Sequence, residues 1–187
     1  MLSGRSSLGP SGQLILSTGT TMDGAGGSLQ LLVGLGDTSG GGDIVLSAGP
    51  TTAQAQQGGS LFLHAGDGLN THVNDGGDGG DVNVIGGTAD GLNVNDNGGD
   101  INLSGGRSYA GYGGNLLMTS GPSVLSSSGS ILVETANAGT TSVSGDLFFR
   151  TGTTSVGDSG LTTLMTGTAF SGKGGHLFYT IFFNYIQ

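Results

Sequence analysis

The chain lacks cysteine and contains little proline and little positive charge. Without cysteine in its 187 residues, it has neither disulfides nor thiolate metal sites. Only three prolines are present and glycine does not fall at every third position, which excludes collagen. Four basic residues against thirteen acidic ones give a net charge of −9. Nucleic-acid binding needs clustered Lys and Arg, so it is not expected.

Long apolar runs are missing as well. No apolar stretch is long enough to cross the hydrocarbon core of a bilayer, so the sequence predicts no membrane span. Glycine accounts for 42 residues and recurs too often for a helix to persist. Residues 1–5 show no signal peptide, yet a repeat opens already at Gly12. This abrupt start is compatible with a fragment of a longer protein.

The dominant feature of the sequence is an eight-residue frame, typified by residues 42–49. Glycine opens the frame, usually also closes it, and apolar residues occupy its third and fifth positions. Eleven copies follow one another at a nearly constant interval, which lengthens mainly between Gly42 and Gly99. Their opening glycines are Gly12, Gly27, Gly42, Gly59, Gly80, Gly99, Gly114, Gly129, Gly145, Gly160 and Gly175. Such a period is typical of repeat architectures.

Positions 3 and 5 of the frame form the predicted core. A period of two places both on one face of a β-strand, where stacked copies would bury them in continuous ladders. Only Thr162 breaks the apolar rule at these positions. The predicted core residues are Leu14, Leu16, Leu29, Leu31, Ile44, Leu46, Leu61, Leu63, Val82, Val84, Ile101, Leu103, Leu116, Met118, Ile131, Val133, Leu147 and Phe149.

A short strand with two buried side chains is not stable alone, whereas identical neighbours pair above and below it. The sequence therefore predicts an all-β fold, a single-chain β-solenoid (parallel β-helix) of about eleven short coils. Residues 1–11 would be a lead-in and 12–175 the solenoid, with longer Asp/Asn-rich coils at 59–113. Residues 176–187 would be an aromatic C-terminal strand or cap.

Position 4 points to the opposite face and is apolar in seven of the eleven frames. Two interpretations stay open: a surface that the return loops partly cover, or a lateral contact face in a fibre or dimer. The candidate lateral residues are Ile15, Val45, Phe62, Leu117, Leu132, Phe148 and Phe178.

Calcium is the one cofactor that the sequence suggests. Residues 76–84 resemble a single copy of the calcium-binding nonapeptide of β-roll proteins, except that Asn83 stands where that pattern has an apolar residue. Because Ca²⁺ takes six to eight oxygen ligands, adjacent turns would have to contribute. The candidate ligands are Asp75, Asp78, Asp81 and Asp100, and the alternative is a set of solvated Asp and Asn turns.

Two other functions need features that the sequence supplies only in part. Polysaccharide cleavage needs paired carboxylates or a base in a cleft, and only Asp81, Asp100 and His64 are candidates, so we expect no enzyme. Ice binding would need threonine in regular columns on a solenoid. Threonine is plentiful but holds no single column, and ice binding stays an alternative function.

The frame G-G-x-I-x-L-x-x-G covers nearly the whole chain and resembles the Gly/Ser/Thr-rich tandem repeats of large β-solenoid surface proteins, such as those of microalgae. The resemblance implies a structural or adhesive protein, extracellular or at the cell surface. We expect self-association, end to end or lateral, into a fibre or surface layer. Carbohydrate or a solid surface such as ice is a further predicted partner, and a calcium-binding module is the other alternative.

Overall fold

The computed structural model describes residues 3–4, 6–139 and 142–181. Throughout these ranges the chain forms no helix and no β-strand. It divides into two units, Met1–Ile101 and Asn102–Gln187. The predicted all-β fold, a β-solenoid or parallel β-helix, is therefore wrong for the described residues. Of the predicted C-terminal strand or cap, residues 176–181 form no strand and residues 182–187 lie outside the described residues.

The irregular chain is nonetheless periodic, because it bends once before each new frame. In the first unit the bends lie at residues 7–9, 22–24, 37–39, 53–55, 73–75 and 93–95. In the second unit they lie at 109–111, 124–126, 155–157 and 170–172, with a further bend residue at 142. The sequence repeat thus corresponds to a repeat of backbone direction rather than to a repeat of strands.

Glycine makes three of these bends possible. Gly9, Gly157 and Gly172 have φ of 94°, 106° and 134°. Each stands three residues before an opening glycine. A residue without Cβ adopts these positive φ values at little cost, whereas L-residues with side chains are strained there. These glycines redirect the chain at the same point of the repeat in the first unit and in the second.

Each opening glycine after Gly12 lies against the end of the preceding frame, and we call this contact a neck. In five necks the opening glycine donates its N–H to the carbonyl of the glycine at position 8 of the preceding frame. The donor–acceptor pairs are Gly59 and Gly49 (2.8 Å), Gly80 and Gly66 (2.9 Å), Gly99 and Gly87 (2.8 Å), Gly114 and Gly106 (2.8 Å), and Gly129 and Gly121 (3.0 Å). Each neck thus brings together the two ends of the loop that connects one frame to the next.

Necks elsewhere in the chain are made by the side chain at position 7 of the preceding frame. A Cβ built on Gly27 would lie 3.4 Å from Thr18 Cβ, and one on Gly160 would lie 3.5 Å from Thr151 Cγ2. Ser3 precedes Gly12 by the same number of residues, and a Cβ built on Gly12 would lie 3.7 Å from Ser3 Cβ. The neck is therefore a general feature of the repeat, with or without its hydrogen bond.

In the described residues the necks stand where a solenoid would pair one frame with the next as strands. In a parallel solenoid Gly42 would lie beside its counterpart one repeat earlier, Gly27, and each N–H would pair with the neighbouring coil. Instead, a Cβ on Gly42 would lie 2.9 Å from Cγ1 of Val33, at position 7 of the preceding frame. In the hydrogen-bonded necks the N–H of the opening glycine donates instead to the carbonyl of the glycine that ends the preceding frame. Local closure of the loops takes the place of pairing between frames.

The burial pattern follows the necks and not the predicted core. No described residue is fully buried, and the half-buried ones all stand at position 7: Ala48, Ala65, Gly86, Ser120 and Thr151. The accessible surface is 19543 Å², more than twice the roughly 8100 Å² expected of a folded globular chain of this mass. The large apolar side chains of the described residues therefore contact water.

The predicted core ladders are consequently not formed, since nothing in the described chain covers them. All of their members are exposed: Leu14, Leu16, Leu29, Leu31, Ile44, Leu46, Leu61, Leu63, Val82, Val84, Ile101, Leu103, Leu116, Met118, Ile131, Val133, Leu147 and Phe149. Two apolar side chains per repeat offer little burial against the entropy of ordering a glycine-rich backbone.

Within a single frame, side-chain exposure still alternates with a period of two residues. Ile44 and Leu46 are 54% and 59% exposed, whereas Val45 between them is 81% exposed. In the last frame the rings of His176 and Phe178, two residues apart, lie on one side with their centroids 5.7 Å apart. The frames thus present two distinct faces without being paired into strands.

The neck hydrogen bonds lead to a direct prediction. The amide protons of Gly59, Gly80, Gly99, Gly114 and Gly129 are expected to show weak temperature dependence and slowed exchange by NMR. Opening glycines without this bond, such as Gly27 and Gly160, serve as internal controls and should exchange freely. Uniform exchange across all eleven opening glycines would contradict the five neck hydrogen bonds.

Candidate functional site: exposed apolar rows and Asp/Asn loops

The frames carry two apolar rows, which we name by their positions. The paired row comprises positions 3 and 5, and the outer row comprises position 4. The outer-row side chains are between 69% and 86% exposed: Ile15, Val45, Phe62, Leu117, Leu132, Phe148 and Phe178. Accordingly, every residue predicted for lateral contact is available for contact, and within each unit the frames present both rows to solvent.

The bends carry a third set of apolar side chains that the frame pattern does not reveal. These residues are at least 93% exposed: Leu8, Met22, Val73, Val94, Tyr109, Val124, Leu125, Val156 and Phe170. Their signal in the sequence is an apolar residue four to seven positions before the next opening glycine. Because that spacing varies, these bend residues form a less regular array than the outer row.

The Asp/Asn-rich loops are built from a repeated turn. The tetrapeptide Asp-Gly-Leu-Asn occurs at 67–70 and again at 90–93. Its asparagine acts identically in both loops: Asn70 Oδ1 accepts from the His72 N–H at 2.9 Å, and Asn93 Oδ1 accepts from the Asn95 N–H at 3.0 Å. This Asx turn replaces backbone pairing with a side-chain acceptor.

Further local hydrogen bonds complete these two loops. The Gly77 N–H donates to the Asn70 carbonyl at 3.0 Å. In the second loop the Asn93 N–H donates to Asp96 Oδ2 at 2.9 Å, while the Asp96 N–H donates to the Asn93 carbonyl at 3.0 Å. The Asp96 carboxylate thus serves as a structural acceptor.

The candidate calcium ligands are distributed along this region. Asp75 lies in the bend at 73–75, Asp81 follows Gly80 and Asp100 follows Gly99. Among the described residues, no three His, Cys, Asp or Glu side chains form a group that would hold a metal ion. Calcium binding by Asp75, Asp78, Asp81 and Asp100 stays a prediction, to be measured as a change in thermal unfolding on adding EDTA.

The described ranges also contain no pocket. Asp81, Asp100 and His64, the carboxylates and base considered for polysaccharide cleavage, are all exposed. Nor do the described residues include a helix that would cross a membrane.

Threonine has a role in the necks. Thr18, Thr135, Thr151 and Thr166 stand at position 7, and each side chain is the nearest neighbour of the following opening glycine. These hydroxyl-bearing residues line loop closures within the chain. Ice binding stays a prediction, for which thermal hysteresis is the measurement.

Comparison of the chain with known protein families, curated proteins and solved structures finds no match. The resemblance to microalgal surface repeats stays a prediction.

Proposed function

We propose that this chain is a non-enzymatic structural or adhesive protein that self-associates into an extracellular fibre or surface layer. The observation that carries the proposal is the exposure of the apolar side chains of both rows throughout the frames that the structure describes. Water contact with apolar surface costs about 25 cal/mol per Å². Association that covers the rows removes that cost.

Repetition makes such association effective. A single frame contributes a few side chains, and burying one Phe, Leu or Ile stabilises by about 1.5–3 kcal/mol. Eleven frames on one chain turn these separate contacts into one multivalent contact, in which each engaged frame raises the effective concentration of the next. A second copy carries the same spacing between frames, so it is the partner that matches repeat for repeat.

The backbone supports the same partner. The described frames lack strand pairing, so many of their N–H and C=O groups remain open to hydrogen bonds from another chain. Pairing with a second copy would satisfy these groups while the apolar side chains are covered. Net charge opposes the approach, since each copy carries −9.

Light scattering with negative-stain microscopy tests the proposal. We expect particles much larger than the 18.3 kDa chain. Assembly should increase with salt concentration, because salt screens the repulsion between acidic copies. A monomer at all concentrations and salt levels would overturn self-association.

A further inference from the structure

The sixth frame contains an acceptor pattern for N-linked glycosylation. Of the ten asparagines in the chain, only Asn102 is followed two residues later by Ser or Thr, and Leu103 separates it from Ser104. The pattern Asn-x-Ser with x other than proline is the one that the glycosylation machinery of secreted proteins modifies.

The structure leaves this tripeptide accessible. Asn102, Leu103 and Ser104 are exposed and belong to neither helix nor strand. The hydrogen bonds of the described residues do not involve the Asn102 amide or the Ser104 hydroxyl, unlike Asn70 and Asn93, whose side chains are engaged in turns. The reacting Asn102 amide and the Ser104 hydroxyl, which an enzyme would recognise, are thus both free to be bound.

We propose that Asn102 is an N-glycosylation site, an inference that rests on the extracellular location in the proposed function. The glycan donor is an oligosaccharide linked to a lipid pyrophosphate. Asn102 Nδ2 forms a bond to the anomeric carbon of the sugar and loses one proton, which passes to solvent. The bond between that carbon and the pyrophosphate oxygen breaks, and the lipid pyrophosphate leaves.

The position of Asn102 in the frame fits a glycan. Asn102 stands at position 4, and so does Asn83 in the preceding frame. These two residues interrupt the apolar outer row between Phe62 and Leu117. A bulky, solvated glycan here occupies the polar part of the row and leaves the apolar members of the other frames uncovered.

Cell-free translation with microsomes tests the site on the full chain. The chain receives a cleavable secretion signal and a C-terminal Asn-Ser-Thr tag whose glycosylation reports translocation. We expect two glycans, both removed by peptide N-glycosidase, which leaves heavy oxygen at residue 102 when used in labelled water. N102Q and S104A should each lose one glycan, whereas S104T and the matched control N83Q should keep both.

A chain glycosylated at the tag but unmodified at Asn102 would overturn the inference. So would a second glycan that persists in N102Q. Self-association is measured separately on the unglycosylated chain made in bacteria, so a monomeric chain would refute the proposed function without affecting the result for Asn102.

Discussion

Replacing both Phe62 and Phe148 with serine is expected to raise the critical concentration for self-association at least ten-fold. The two rings are 86% and 78% exposed and lie in the outer rows of the first and second units. If association buries them, each ring contributes about 1.5–3 kcal/mol. Since about 1.4 kcal/mol corresponds to a factor of ten, losing both rings exceeds that threshold. Sedimentation velocity over a concentration series measures the change.

The matched control is the double variant Tyr109→Ser and Phe170→Ser. These aromatic side chains are at least as exposed, but they stand on bends outside the frames. We expect this variant to assemble like the unmodified chain. Assembly that fails in the bend variant and persists in the frame variant would move the contact surface from the outer row to the bends.

The periodicity of the structure could be predicted from the sequence. The opening glycines mark the necks, and the alternation around Val45 reappears in its greater exposure relative to Ile44 and Leu46. Both features are local: a residue without Cβ permits close approach, and neighbouring side chains in extended backbone point to opposite faces. Short-range chemistry of this kind is encoded by the residues themselves.

The partner of each glycine could not be predicted in the same way. A glycine such as Gly59 permits close approach to two different partners. One is the matching glycine of a stacked frame, and the other is the residue at which the loop before Gly59 begins. The repeat pattern in the sequence is the same in both cases. In the structure the partner is the start of the loop, because the Gly59 N–H donates to the Gly49 carbonyl. The apolar pair Ile44 and Leu46 likewise indicates a shared face without specifying what covers it.

The candidate sites likewise divide into local features, which the sequence determines, and long-range contacts, which it does not. The turns at Asn70 and Asn93 depend on local chemistry, because each asparagine accepts a hydrogen bond from the backbone N–H two residues on. A calcium site requires several carboxylates to converge from separate turns, and sequence spacing does not determine convergence. The bend residues were missed because their spacing from the next glycine varies, as at Val73 and Phe170.

The substitution Gly114→Ala is expected to open the neck between residues 106 and 114. A Cβ at position 114 would lie 2.8 Å from the Gly106 backbone nitrogen, closer than side-chain carbons approach backbone atoms, so one segment must shift. The shift removes the hydrogen bond from residue 114 to the Gly106 carbonyl, now 2.8 Å long. Because such a bond contributes about 0.5–1.5 kcal/mol, exchange of amide 114 should accelerate by up to about ten-fold.

Gly160→Ala separates this steric effect from the general effect of adding a methyl group. The nearest atom to a Cβ at position 160 is Thr151 Cγ2 at 3.5 Å, an ordinary van der Waals contact. Both substitutions reduce the freedom of the unfolded chain similarly, by about 0.4–1 kcal/mol. Only Gly114→Ala should therefore alter the amide shifts and exchange of its loop, measured by NMR below the assembly concentration. Equal changes in the two variants would show that glycine is needed for backbone freedom rather than for close approach at the neck.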